Sequence, residues 1–98
     1  MRTIRKFEDP EIWQIARQLS LRVFHLTEEA PSSEDYEFKN QTPASAGSAM
    51  DNIAEGFERS SQFEFINFLS ISKGSTGETR SQLYWGIDQK YFPENTID

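Results

Sequence analysis

Apolar residues near the start of the chain recur at Ile12, Ile15, Ala16, Leu19, Val23 and Leu26. That is the period of an α-helix with one stripe turned to a core. Trp13 and Phe24 fall off the stripe. Asp9-Pro10-Glu11 supplies a start signal: an N-cap, a proline suited to the first turn, and an acid at the positive end of the dipole. Pro31 disfavours helix in the residue before it and sets an end near Glu29. A second segment begins at Ser33 or Asp35 and reaches Gly56. Its centre, Thr42-Pro43-Ala44-Ser45-Ala46-Gly47-Ser48-Ala49, is small apart from the proline. Met50, Ile53, Ala54 and Phe57 resume the helical spacing directly after it, so the stretch reads as a smooth helix surface. Pro43 is expected to kink that helix or to start a new one. Gly56 serves either as its C-cap or as a close contact.

Ser60 or Ser61 caps a third segment, and Glu64 stands three residues after Ser61, the spacing of a capping box. Two stripes follow. Phe65, Phe68, Ser72, Thr76, Leu83 and Ile87 form one; Ile66, Leu69, Ser70, Gly74, Gly77, Ser81 and Tyr84 form the other. The small middle of the second stripe predicts a close crossing with the small middle of the preceding helix. Such a contact offsets the roughly 1 kcal/mol that each helical glycine costs. The pattern therefore predicts one all-α domain over 1–98, with helices at about 10–29, 34–57 and 61–90 and the start of another after Pro93. Short loops make it an antiparallel up-down bundle. The fourth helix of a four-helix bundle is largely absent from these residues.

Composition narrows the class. The chain has 98 residues, no cysteine and a formal charge of −6. No apolar run approaches the ~20 residues of a membrane span, and the opening MRTIRKFEDP lacks a signal-peptide core. These features suggest a cytoplasmic protein without disulfides or a membrane partner. A chain this short leaves much surface exposed, so self-association is expected. Charge is uneven: 1–25 sum to +2, 26–58 to −7 and 59–98 to −1. The acidic middle repels phosphate, which disfavours nucleic acid. Candidate nucleic-acid contacts are the basic residues Arg2, Arg5, Lys6, Arg17 and Arg22, provided that assembly gathers them.

Catalytic chemistry finds little support. The single histidine, His25, cannot build a di-metal site with Glu28 and Glu29, nor a nucleophilic triad. Gly74-Ser75-Thr76-Gly77 matches a phosphate loop in composition only. We expect no enzyme activity, no cofactor and no metal. The most informative polar set is Asn52, Glu55, Arg59, Glu78 and Arg80. It reads either as a site at a subunit junction or as a network that fixes helix register, with Glu55 and Arg59 an i,i+4 pair. Trp13 and Trp85 suit base stacking or, more simply, packing.

Three stretches in register resemble one family. Asp51-Asn52-Ile53-Ala54-Glu55-Gly56-Phe57-Glu58-Arg59 resembles the NIAEG signature of the bacterial four-helix-bundle proteins of the ribosomal-RNA intervening-sequence family. Phe7-Glu8-Asp9, Ile12-Trp13-Gln14 and Ala16-Arg17 resemble its opening. Glu64 to Ser75, then Gly77-Glu78 and Arg80-Ser81-Gln82-Leu83, resemble its third helix. The likeness runs in order over residues 7–92. It implies an up-down four-helix bundle assembled as a ring, typically a pentamer, with no activity established for the family. A related branch is the accessory protein of diversity-generating retroelements, which implies the alternative of binding structured RNA, DNA or a reverse transcriptase complex. Gln41-Thr42-Pro43-Ala44 stands where many relatives carry a basic pair, and the sequence stops where the fourth helix is expected. The expectation is thus a non-enzymatic, homo-oligomeric binding or scaffold subunit.

Overall fold

Each helix begins where the chain can satisfy its orphan N–H groups. In the computed structural model, which describes residues 7–97, these helices are α1 (Glu11–Glu28), α2 (Tyr36–Glu58) and α3 (Gln62–Asp88). Among the described residues there are also 3₁₀ turns at Ser32–Glu34 and Glu94–Ile97, and no strand. Asp35 caps α2 by accepting the Phe38 N–H at 3.1 Å. Ser61 caps α3 by accepting the Glu64 N–H at 3.1 Å. The cap of α1 is Pro10, not Asp9. Pro10 is extended, and its carbonyl accepts from Trp13 and Gln14 at 3.2 and 3.3 Å. Pro10 itself offers no side-chain cap. Gln14 instead ties down the entering chain by donating to the Glu8 carbonyl at 3.0 Å.

Pro43 does not start a new helix. α2 runs unbroken past it. A proline inside a helix removes one backbone bond at a cost of about 3 kcal/mol, and packing along both flanks of α2 offsets that loss. Gly56 is not the C-cap, which is Arg59. It is a close contact: a Cβ there would lie 3.2 Å from Phe65 Cδ1 and from Phe68 Cβ.

The buried face of α1 is turned relative to the predicted stripe. Trp13, Ala16, Val23 and Thr27 are buried. Ile12 and Ile15 are more than half exposed, and Phe24 is nearly so. The apolar arc of α1 is wide enough for either phase, and the largest side chain, Trp13, removes the most area from water when it takes the centre. It packs with Ala16 and Ile53, flanked by Phe7, Met50, Phe57 and Leu69. A second cluster joins Val23, Ala46 and Leu83 with Leu19, Leu26 and Phe92.

The register is antiparallel along both seams. Trp13 meets Ile53 at one end of α1, and Lys39 lies 3.7 Å from Glu28 at the other. Between α2 and α3, Ser45 Oγ lies 2.8 Å from Gln82 Oε1 and Ser48 Oγ lies 2.9 Å from Ser75 Oγ. Ser72 Oγ donates to the Ala49 carbonyl at 2.7 Å. These short side chains let the two backbones approach, as the small residues of α2 predict. The α3 partners differ from the expectation. Ser72, Thr79, Leu83 and Gly86 face inward, whereas Ile66, Ser70, Gly74, Gly77, Ser81 and Tyr84 are exposed. Of the second stripe only Leu69 packs inward, against the Trp13 and Ile53 cluster; the middle of the seam is filled instead by Ser72, Ser75, Thr79 and Gln82. The molecule is a rod of 46 × 20 × 20 Å. Helices α1 and α3 lie on α2, with a cleft of about 270 Å³ between them lined by Leu19, Arg22, Leu26, Thr76, Arg80 and Leu83.

Candidate functional site

The five polar residues singled out from the sequence do not form one site. Asn52 belongs to the α2–α3 seam, where its amide donates to the Ser48 carbonyl at 2.7 Å and to Ser48 Oγ at 3.1 Å. Through Ser48 it is linked to Ser75 on α3. Glu55 and Arg59 pair at 2.7 Å across one helical turn. Arg59 then spans the turn between helices: its Nε lies 3.8 Å from Glu64 Oε2 and its guanidinium sits 5.0 Å from the Phe68 ring centroid. Glu64 therefore turns toward Arg59 as well as occupying its place in the capped first turn. Both members of the Glu55–Arg59 pair are exposed, so the pair contributes at most about 1 kcal/mol. Glu78 is exposed and makes no hydrogen bond or ion pair among the described residues. Arg80 lies over Tyr84 at 5.8 Å and lines the α1–α3 cleft with Arg22. Asn52 and Arg59 thus fix helix register, while Glu78 and Arg80 look outward.

The basic candidates are also divided. Arg17 lies 5.6 Å from the centroid of Trp13, on the side of α1 that forms a groove with Leu21, Phe24, Pro43 and Met50. Arg22 belongs to the cleft on the other side. Arg2, Arg5 and Lys6 lie outside the described residues. His25 is exposed beside Phe24. Among the described residues no group of three or more histidines and acids stands where it can hold a metal ion, and no helix is long and apolar enough to cross a membrane.

Two features differ from the reading by periodicity: a stripe of α3 that faces outward instead of inward, and an aromatic end that the pattern does not mark. The first is the outward face of α3. Phe63 is 83% exposed, and Ile66 and Tyr84 are about half exposed at either end of a smooth middle. A Cβ built on Gly74 or Gly77 meets nothing within 4 Å. Nothing among the described residues explains two glycines there, since an exposed helical glycine costs about 1 kcal/mol against alanine. The second is the aromatic end where α2 begins and α3 stops. Phe38 contacts Trp85, Tyr91 and Phe92 at centroid distances of 5.6, 5.3 and 6.2 Å. Gly86 opens the space for them: a Cβ there would come within 2.5 Å of Phe92 Cζ and 2.9 Å of Phe38 Cζ. Lys90, with φ 64°, ends α3 in the left-handed region and turns Tyr91 and Phe92 back onto the cluster. Tyr91 Oη donates to Asp35 Oδ2 at 2.7 Å. That bond, followed by the Phe38 N–H, holds the Asp35 carboxyl below its ordinary value; the same bond raises the Tyr91 phenol.

The family model described as 23S rRNA-intervening sequence protein matches residues 8–98. No curated protein and no solved structure matches the chain significantly.

Proposed function

The chain belongs to the 23S rRNA-intervening sequence protein family, and from that premise we propose that it is a non-enzymatic, self-associating helical subunit of the cytoplasm that presents binding surfaces. The observation that carries this reading is the outward face of α3. Glycines 74 and 77 leave room for a backbone to approach, and Phe63, Ile66 and Tyr84 offer apolar anchors on either side of them. Helices meet closely where small residues line the contact, and the apolar ends then lose water on association. On this reading a further helix fills the α1–α3 cleft, covers Ile12 and Ile15, and completes an up-down four-helix bundle. The resemblance to the family extends the assembly to a ring, in its typical form a pentamer.

The formal charge of −6 and the separation of Arg17 from Arg22 weigh against the alternative, an accessory protein for structured RNA. Native mass measurement at micromolar concentration tests the proposal. A discrete oligomer is expected, and a strict monomer overturns it. Tight, salt-sensitive binding to structured RNA, tested by fluorescence anisotropy, turns the assignment to the accessory role.

A further inference from the structure

The aromatic end holds a cavity of about 360 Å³ between the first turns of α2 and the last turns of α3. Its lining combines two carboxylates, Asp35 and Glu37, with the rings of Phe38 and Trp85 and the polar groups of Thr42 and Gln82. Among the described residues no lysine or arginine lines it. The size lies within the range of small-ligand sites. We propose that this cavity binds a guanidinium group, stacked on Trp85 and held by the carboxylates.

Three observations support this assignment. Trp85 is 47% exposed, yet its ring packs against Phe38 and, edge to face, with Tyr91 at centroid distances of 5.6 and 5.9 Å. A held indole face beside carboxylates is the arrangement that attracts a planar cation. Thr42 is fully buried, and its hydroxyl has no hydrogen-bond partner among the described residues. The other helical threonines, Thr27, Thr76 and Thr79, each bond back to the carbonyl one turn earlier. Thr42 does not, so a buried hydroxyl on a residue of the cavity lining lacks the partner that such a group normally has. Lastly, the charge has the right sign and persists: the bond from Tyr91 keeps Asp35 ionised. An anion is disfavoured even though this is a helix N-terminus, because the Asp35 carboxylate already caps it and Glu37 adds a second negative charge. A guanidinium is preferred to an ammonium because its plane matches the indole and its five N–H donors match the several acceptors.

The guanidinium arrives either free, on a small molecule, or on an arginine of a partner chain; both share this chemistry. The test uses the full chain, ¹⁵N-labelled, with argininamide as the probe and citrullinamide, which keeps the α-amino group but has an uncharged side chain, as its control. Argininamide is expected to shift the amides of residues 35–42 and 81–85 and the Trp85 indole, and to leave the Trp13 indole unmoved. Citrullinamide is expected to bind about tenfold more weakly, as is argininamide to Glu37→Gln, consistent with loss of one charged contact. Glu37 is exposed, so this substitution leaves the fold intact. Absence of localised shifts at about 10 mM argininamide, beyond the millimolar affinity of a single small contact, overturns the proposal. So does an equal response to citrullinamide, or an unchanged affinity in Glu37→Gln. A capped Gly-Arg-Gly peptide then sorts the source. Tighter binding than argininamide supports a partner-chain arginine, and equal or weaker binding supports a free guanidino compound.

Discussion

Gly56 and Gly86 differ from Gly74 and Gly77 in a way that separates what the chain does for itself from what it leaves for others. All four are helical. At Gly56 and Gly86 an added Cβ would press on Phe65 and Phe68, or on Phe92 and Phe38. Their missing side chains are used inside the molecule, one at the turn between α2 and α3 and one at the aromatic end. At Gly74 and Gly77 the space is empty. The chain carries the propensity cost of both with no contact from the described residues in return. The comparison teaches that glycine content alone does not locate a seam. What matters is whether the space beside the glycine is already taken.

The comparison can be broken most sharply at Gly86. Gly86→Ala is expected to destabilise the fold by about 1–3 kcal/mol, the usual cost of overpacking, as measured by urea unfolding. A gain in stability would show that Phe92 and Phe38 do not pack there. Gly74→Ala with Gly77→Ala sharpens the other half, because two opposite signs are expected. Unfolding of the dilute chain should become harder by up to about 1 kcal/mol per site, while sedimentation should show weaker assembly. Stabilisation without weaker assembly would leave the glycines unexplained. Gly56→Ala lies between: its Cβ would meet Phe65 and Phe68 at 3.2 Å, so a helix-propensity gain and a packing loss nearly cancel, within about 1 kcal/mol.

The smallest effect concerns pH. Asp35 is depressed in the folded state, so its contribution is present above the ordinary carboxylate range and is lost as pH falls through its folded value. Tyr91 is raised, so its contribution is present below the ordinary phenol range and is lost as pH rises through its folded value. Tyr91→Phe is expected to move acid unfolding to higher pH and to weaken the alkaline dependence, both read by circular dichroism. Unchanged acid unfolding would show that the Tyr91–Asp35 bond does not act on stability.

Signals held within a few residues were legible in the sequence. Ser61, one of the two caps offered for α3, makes a bond that reaches only three residues, Asp35 is one of the two starts offered for α2, and Glu55–Arg59 is a pair on one helix turn, whereas the local start signal at Asp9 misplaced the cap of α1 by one residue. The phase of α1 was not legible, because Ile12, Trp13 and Ile15 all lie within one broad apolar arc and only the other helices decide which is covered. The facing of α3 failed for a similar reason: two stripes compete, and small residues mark both the filled seam and the empty face. The grouping of Glu78 and Arg80 with Asn52, Glu55 and Arg59 depended on that facing and fell with it. The cavity at the aromatic end was hidden because Asp35 is far in sequence from Trp85 and Tyr91 and meets them only when α2 and α3 are paired.

The central claim, that the open face of α3 is an assembly surface, is tested most directly by sedimentation equilibrium of the wild type beside Gly77→Arg. A large charged side chain at this exposed position has room in the isolated chain and none in a close helix contact. The account predicts an oligomeric wild type and a monomeric variant of unchanged helicity. A monomeric wild type, or a variant that assembles equally well, would contradict it.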